Sequence, residues 1–292
     1  MFQEQYKDTV YFSDTLKVDY PAVYQKITAL LDKNHVCHSF LKGTEDYWCR
    51  DYMPVQCGYN QFIQFRYHPD YLEKVRDKET STKTAITLSV KATGVSPKVS
   101  TLIADGGNFT ASVTRQGQPA IVMRNKIFSE NQQKSHKEIL SELHELFHDT
   151  KIIFLPWKPN VSGDECGHTD GILRPISDGK ILVDLDIYPK KMARDMRTVL
   201  EKDFELVDLD CTEDGGWAYI NMLQTRDIII VPGLGIPSDE KAFNQIKSLY
   251  PSYAEHIYQV NIGKIVSKWN GALNCLSWTV GHDRSATMIR DS

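Results

Sequence analysis

A strand, a second strand, a helix and a third strand follow one another repeatedly along this chain, and that order limits the fold more than any other feature. Residues 51–57 and 61–66 read as strands, 70–92 contains a helix, and 98–104 is a strand. The order returns with strands 108–114 and 119–128, a helix over 134–148 and a strand over 151–157. It returns again with strands 171–177 and 180–186, helix 190–203 and strand 204–210, and then with strands 217–223 and 227–233, a helix N-capped by Ser238 and a strand over 256–262. The paired strands are joined by Gln116-Gly117-Gln118, Asp178-Gly179 and Thr225-Arg226, residues suited to tight turns. A fifth unit begins at 271–280 and runs out of chain. Helix 21–33 and strand 35–41, at the other end, supply what it lacks, as in a ring of repeats sealed by both termini.

One residue near the opening of each unit gives the period. Asp51, Asn108, Asp170, Asn221 and Cys275 are separated by 57, 62, 51 and 54 residues, a mean of 56, and 292 residues hold just over five such units. The expectation is a single α/β domain over 1–292. It is a five-bladed α/β propeller with pseudo-fivefold strand-strand-helix-strand repeats. An open α/β sheet, whose strands and helices also alternate, is the competing architecture.

Composition narrows the partners. With 41% hydrophobic residues, 25% charged residues and a net charge of −4, the chain is ordinary for a globular protein. It lacks the clustered basic charge that phosphate contacts need, so no nucleic-acid partner is expected. Apolar runs such as 228–231 are too short to span a bilayer, and MFQEQYKDTV has no basic-then-apolar leader, so no membrane partner and a cytoplasmic location are expected. The six cysteines are scattered with no C-x-x-C pair, which reads as free thiols rather than disulfides or structural zinc.

Reactive side chains gather at the unit openings: Trp48, Cys49, Arg50 and Asp51; Asp105 and Asn108; His168 and Asp170; Trp217 and Asn221; Asn274 and Cys275. Equivalent positions in a ring face one axis, so these groups are expected to converge. His168 and Asp170, two apart on an extended segment, would share a face. Each has an ordinary reading by itself: Asp51 as an edge acid paired with Arg50, His168 and Asp170 in a glycine-bounded turn, Cys275 as a core thiol. Together, two carboxylates, a histidine and a cysteine suit a guanidinium. Carboxylates hold its planar N–H forks, a thiolate attacks its weakly electrophilic carbon, and an imidazole protonates departing ammonia and then activates water.

The segments WCRDYMPV (48–55), DGGNF (105–109), GDECGHTDGILR (163–174), WAYINML and IIIVPGLG (within 217–235) and GALNCLSW (271–278) resemble the agmatine deiminase and Porphyromonas-type peptidyl-arginine deiminase family, members of the guanidino-modifying pentein superfamily. The resemblance runs from about residue 15 to 280. It implies a hydrolase with Cys275, His168, Asp51 and Asp170 as catalytic residues. Asp51 and Asp170, with Asn221, Trp48, Asp105 and Asn108, would bind substrate. A covalent cysteine intermediate would release a ureido product and ammonia, with no metal or organic cofactor. The expected partner is a small guanidino compound, either agmatine-like, as in putrescine biosynthesis, or arginine or peptidyl-arginine; a homo-oligomer stays open. Met53 stands where the family commonly has glycine, and Asn274 and a single glycine, Gly271, precede the cysteine. Asp164, Glu165, Glu213 and Asp214, with Trp48 and Trp217, favour a substrate carrying a second cation. Arg66 and Arg174 are the basic residues that could instead receive a carboxylate.

Two other functions compete. His144-Glu145-x-x-His148 matches a zinc-peptidase pattern, but on a helix Ile139, Leu140, Leu143, Leu146 and Phe147 form the apolar stripe and turn both histidines towards solvent. A non-catalytic guanidine-binding protein of the same fold is the third reading, opposed by retention of all four reactive residue types.

Overall fold

The computed structural model describes residues 2–69, 78–159, 166–211 and 215–283. Among the described residues, fifteen strands form five three-stranded sheets. In each sheet a middle strand pairs antiparallel with the strand at the unit's opening and parallel with the strand that follows the helix. The strands of the first sheet are Val55–Gly58, Gln61–Arg66 and Lys98–Ile103; those of the second are Thr110–Val113, Pro119–Arg124 and Lys151–Leu155. The third has Leu173–Ser177, Lys180–Val183 and Glu205–Asp208, and the fourth Leu223–Gln224, Ile229–Gly233 and Ile257–Asn261. Helices Lys78–Thr93, His136–Leu146, Lys190–Leu200 and Ser238–Leu249 cross between the parallel partners, as parallel pairing requires.

The fifth sheet joins the two ends of the chain. Ser277–Val280 pairs antiparallel with Thr9–Ser13, which pairs parallel with Cys37–Leu41 after helix Pro21–Lys33. The strand Thr9–Ser13 is absent from the sequence reading. All five of its residues are buried, so no inside–outside alternation marks it.

Middle strands are buried on both faces and feed two cores. Ile181 and Val183 meet Val122 and Leu155 of the second sheet and Met196 and Leu200 of the third helix, while Leu182 turns the other way to Ile229, Val231 and Ile246. Val10 and Phe12 join Ile230 and Val260 of the fourth sheet, while Tyr11 joins Phe62 of the first. Ile63 and Phe65 complete the series against Ile121 and Met123. Each core thus lies between two successive sheets, and the fifth sheet packs on both the fourth and the first.

Several expected boundaries move. The segments opening the units are single helical turns rather than strands: Cys49–Tyr52, Gly106–Asn108 as a 3-10 turn, and Trp217–Ile220, each just before the first strand of its sheet. Leu173 N–H to Thr169 O at 3.0 Å, and Leu276 N–H to Ala272 O at 3.1 Å, make equivalent turns in the third and fifth units. One turn is too short to show a helical period, and its apolar residues merge with the strand that follows. The expected strand 119–128 stops at Arg124, with helix Lys126–Glu130 after it. Ser238 is the first helical residue, not the cap; Pro237 holds that position. The part of the expected helix over 70–77 lies outside the described residues. Among the described residues, no helix is long and apolar enough to cross a membrane.

Candidate active site

Three of the five opening turns meet around Gly107. Its N–H donates to Asp51 Oδ1 at 3.0 Å, and its carbonyl accepts from the N–H groups of Thr169 and Asp170, both at 3.1 Å. A Cβ on Gly107 would lie 2.7 Å from both Asp51 Oδ1 and His168 Nδ1, so the close approach needs glycine. Asn221 ties in the fourth and fifth turns. Its Nδ2 donates to the Asp170 carbonyl at 3.3 Å, its Oδ1 accepts from Cys275 N–H at 3.1 Å, and its own carbonyl accepts from Asn274 N–H at 3.0 Å. The helical turn Trp217–Ile220 ends at Asn221, which leaves both ends of the amide pointing at neighbouring turns.

The titratable groups are buried together. His168 Nε2 bonds Asp105 Oδ2 at 3.2 Å, and Nδ1 faces Asp51 Oδ1 at 3.6 Å. Burial works against charge on the imidazole, but Asp51, Asp105 and Asp170 outweigh it and raise His168 to about 9. At neutral pH it is an imidazolium. Asp170 Oδ2 accepts from Asn274 Nδ2 at 2.7 Å and lies 3.7 Å from Cys275 Sγ. Burial first, then Asp170 and Asp51, push the Cys275 thiol well above its usual range. The resting pair is therefore a neutral thiol and a charged imidazole beside three carboxylates.

His168, Asp170, Asn221 and Cys275 line one cavity of about 460 Å³, open to solvent, with Tyr188, Trp217 and Asn270 among its walls. Asp51 lies behind His168 rather than in the wall. Asp105 serves His168. Asn108 is engaged with the backbone of the second sheet, taking Arg124 N–H at 2.7 Å and donating to Arg124 O at 3.4 Å. Trp48 is buried against Gly271, where a Cβ would meet its ring at 2.3 Å. The structure thus brings Cys275, His168, Asp170 and Asn221 to the cavity and gives Asp51, Asp105, Asn108 and Trp48 supporting contacts. Asp51 is also not paired with Arg50, whose guanidinium turns to Glu4 at 3.1 Å. Tyr188 escaped the sequence reading, and Gly107 and Asn274, though they stand in the quoted segments, were given no site role; a lone tyrosine or a glycine doublet carries no local mark.

Neither basic residue considered for a substrate carboxylate lies in the cavity wall. Arg66 is exposed at the end of Gln61–Arg66, and Arg174 is buried, donating to the carbonyls of Ile220 and Met222 at 3.2 and 2.7 Å. Asp164, Glu165, Glu213 and Asp214 lie outside the described residues. The zinc-peptidase pattern is not assembled: its helix ends at Leu146, His148 falls beyond it, and Glu145 is an exposed partner of Lys98 at 3.0 Å. Among the described residues no group of three or more His, Cys, Asp or Glu is placed to hold a metal ion.

Comparison with known proteins bears on the whole chain. The profile of the Porphyromonas-type peptidyl-arginine deiminases matches residues 15–280. No curated protein matches. Among solved structures, a C. jejuni agmatine deiminase is similar at 17% identity and a TM-score of 0.73, covering 96% of this chain and 95% of that one. An agmatine deiminase of Enterococcus faecalis is similar at 16% identity and 0.72, with 96% and 95% covered. An amidinotransferase of saxitoxin biosynthesis from Microseira wollei is similar at 13% identity and 0.56, with 92% and 82% covered. These likenesses are of fold.

Proposed function

Because the chain belongs to the Porphyromonas-type peptidyl-arginine deiminase family, we propose that its cavity hydrolyses a guanidinium to a ureido group and ammonia. The observation that carries this reading is one cavity shared by a thiol, an imidazolium and a carboxylate, with two more carboxylates behind the imidazolium. A guanidinium entering there meets Asp170, with Asp51 close behind, and its positive charge offsets the carboxylates that hold the thiol proton in place. The Cys275 thiol then gives its proton to solvent in the open cavity, and Sγ bonds to the guanidinium carbon. The tetrahedral adduct loses ammonia as His168 supplies a proton to the departing nitrogen. A thiouronium remains on Cys275. His168, now neutral, takes a proton from water; the new hydroxyl attacks the same carbon, the thiolate leaves and takes up the hydroxyl proton, and the ureido product is released. Asn221 fixes the backbone of Cys275 and Asp170 throughout.

The five successive cores and the sheet shared by both ends support a closed five-bladed propeller and a single domain over the chain. The substrate we favour is a small guanidine with a cationic tail, of the agmatine type. The solved relatives that are named for agmatine have this fold, and the described cavity wall holds the aromatic side chains Tyr188 and Trp217 and neither lysine nor arginine. Its expected setting is cytoplasmic. The test is ammonia release from agmatine, arginine and arginine-terminated peptides, with and without chelator. Agmatine should give the highest kcat/KM, unchanged by chelator. A higher value for arginine would overturn the substrate assignment, and activity lost to chelator and restored by zinc would overturn the mechanism.

A further inference from the structure

Glu4 lies outside the stretch that matches the family, yet a chain of hydrogen bonds joins it to the carboxylate beside Cys275. Its carboxylate accepts from Arg50 at 3.1 and 3.4 Å, from Lys7 Nζ at 2.6 Å and from Thr279 Oγ1 at 2.6 Å. Burial disfavours its charge, but Arg50 and Lys7 outweigh that and hold Glu4 at about 2. The same Arg50 guanidinium donates to Asn274 Oδ1 at 3.2 Å, and the Arg50 backbone N–H donates to the Cys275 carbonyl at 3.2 Å. Asn274 in turn holds Asp170 Oδ2 at 2.7 Å. Behind Asp170 lies a second cavity of about 460 Å³, whose walls include Glu4, Arg50, Arg174, Asn274 and Asp170 itself. Asp170 is thus a wall between the two chambers, and its Oδ1 makes no hydrogen bond.

The group on Arg50 is chemically the group the site is built to bind. It sits one asparagine away from the carboxylate that would receive the substrate, in a chamber that the same carboxylate lines. Left unneutralised, a buried guanidinium there would draw Asp170 towards itself and repel a second cation on the far side. We propose that Glu4 is a positioning residue: it neutralises Arg50 and so reserves Asp170 for an external guanidinium. This rests on the guanidinium-binding part of the deiminase reading of the front cavity. It adds that the segment preceding the first strand completes that cavity's charge balance from behind.

The test compares Glu4→Gln, which keeps shape and loses charge, with Lys7→Met, which removes a buried partner of Glu4 that does not touch Asn274. Alkylation of Cys275 is timed with a cationic reagent, 2-chloroacetamidine, and a neutral one, iodoacetamide, with Cys275→Ser as the blank and thermal melting as the check on folding. Wild type should favour the cation. Glu4→Gln should lose about tenfold of that preference, with the iodoacetamide rate little changed, and should raise KM for agmatine about tenfold with kcat within about twofold, the pattern of lost uniform binding. Lys7→Met should melt lower and keep both. An unchanged preference in folded Glu4→Gln, an equal loss in Lys7→Met, or no cation preference in wild type would overturn the proposal. Wild type that prefers the cation but releases no ammonia from any guanidine would instead sink the deiminase reading and leave this one standing.

Discussion

Asp105→Asn isolates the charge that holds His168 protonated. Asp105 is 2% exposed, its Oδ2 lies 3.2 Å from His168 Nε2, and Asn can still accept that hydrogen bond through its own Oδ1. What is lost is charge. A hydrogen bond to an ionised partner contributes about 1.5–3 kcal/mol, and 1.36 kcal/mol corresponds to one pH unit. The imidazolium, raised to about 9 in the parent protein, should therefore titrate about 1 to 2 pH units lower. Lys126 Nζ, 3.9 Å from the same carboxylate oxygen, pushes in the same direction once that oxygen is neutral. The measurement is an NMR titration of ring-labelled histidine in a Cys275→Ala background, where no thiol titrates beside it. The His168 resonance is identified by its absence in His168→Gln. The alkaline fall of kcat in the Cys275 parent should move down with it, because the leaving ammonia needs the imidazolium. A His168 that titrates at the same pH with and without the Asp105 charge, or near 6.5 in the parent, would refute the electrostatic account of this site.

Three further outcomes follow from the same geometry. Gly107→Ala places a methyl 2.7 Å from Asp51 Oδ1 and His168 Nδ1; displacing them should cost about 100-fold or more in kcat/KM, and near-parental kinetics would show that the approach is not tight. Cys275→Ala should abolish turnover with melting little changed, and of the six cysteines only Cys275 should carry a haloacetamidine adduct; stoichiometric labelling of Cys166, which shares the cavity, would displace the assignment. Because His168 is raised in the folded state, its contribution to stability is fully present below pH 6.5 and lost as pH rises from 6.5 to about 9, about 3 kcal/mol in all; calorimetry of the parent and His168→Gln across that window should show the slope vanish in the variant.

The period of the units was legible because each middle strand is an apolar run bounded by turn residues, as in Ile228–Val231 and Ile121–Met123, and because the helices carry clear stripes such as Ile139, Leu143 and Leu146. The cavity-lining side chains were legible as types at equivalent positions, which is why Cys275, His168 and Asp170 could be expected to converge. Their local conformation was not. Asp51 sits on a one-turn helix and Asp170 in a hydrogen-bonded turn, each just before a strand, and so few residues leave no periodic trace. Nor could the sequence separate cavity-lining groups from supporting ones. Asn108 and Asp105 occupy the same kind of position as Asn221, and only the direction of each side chain sends Asn108 to Arg124 and Asn221 to Cys275.

What lay furthest from view is what the fifth sheet does for the site. The register Thr9↔Val280 and Val10↔Thr279 is a local matter of two short strands. It has a distant effect: with Asp8 N–H on the Val280 carbonyl at 2.9 Å, the preceding turn is carried across the end of the fifth sheet, and Glu4 arrives at Thr279 and Arg50. A residue 46 positions from Arg50 and 275 from Thr279 gives no pattern by which a sequence could pair them. The pairing that joins the two ends of the chain and the pairing that neutralises Arg50 therefore come from one short segment. A one-residue slip of Thr9–Ser13 against Ser277–Val280 would send Val10 and Phe12 out of their core and, in the same step, withdraw the carboxylate from behind the cavity. The core residues penalise that slip, and by doing so they hold Glu4 in place as well.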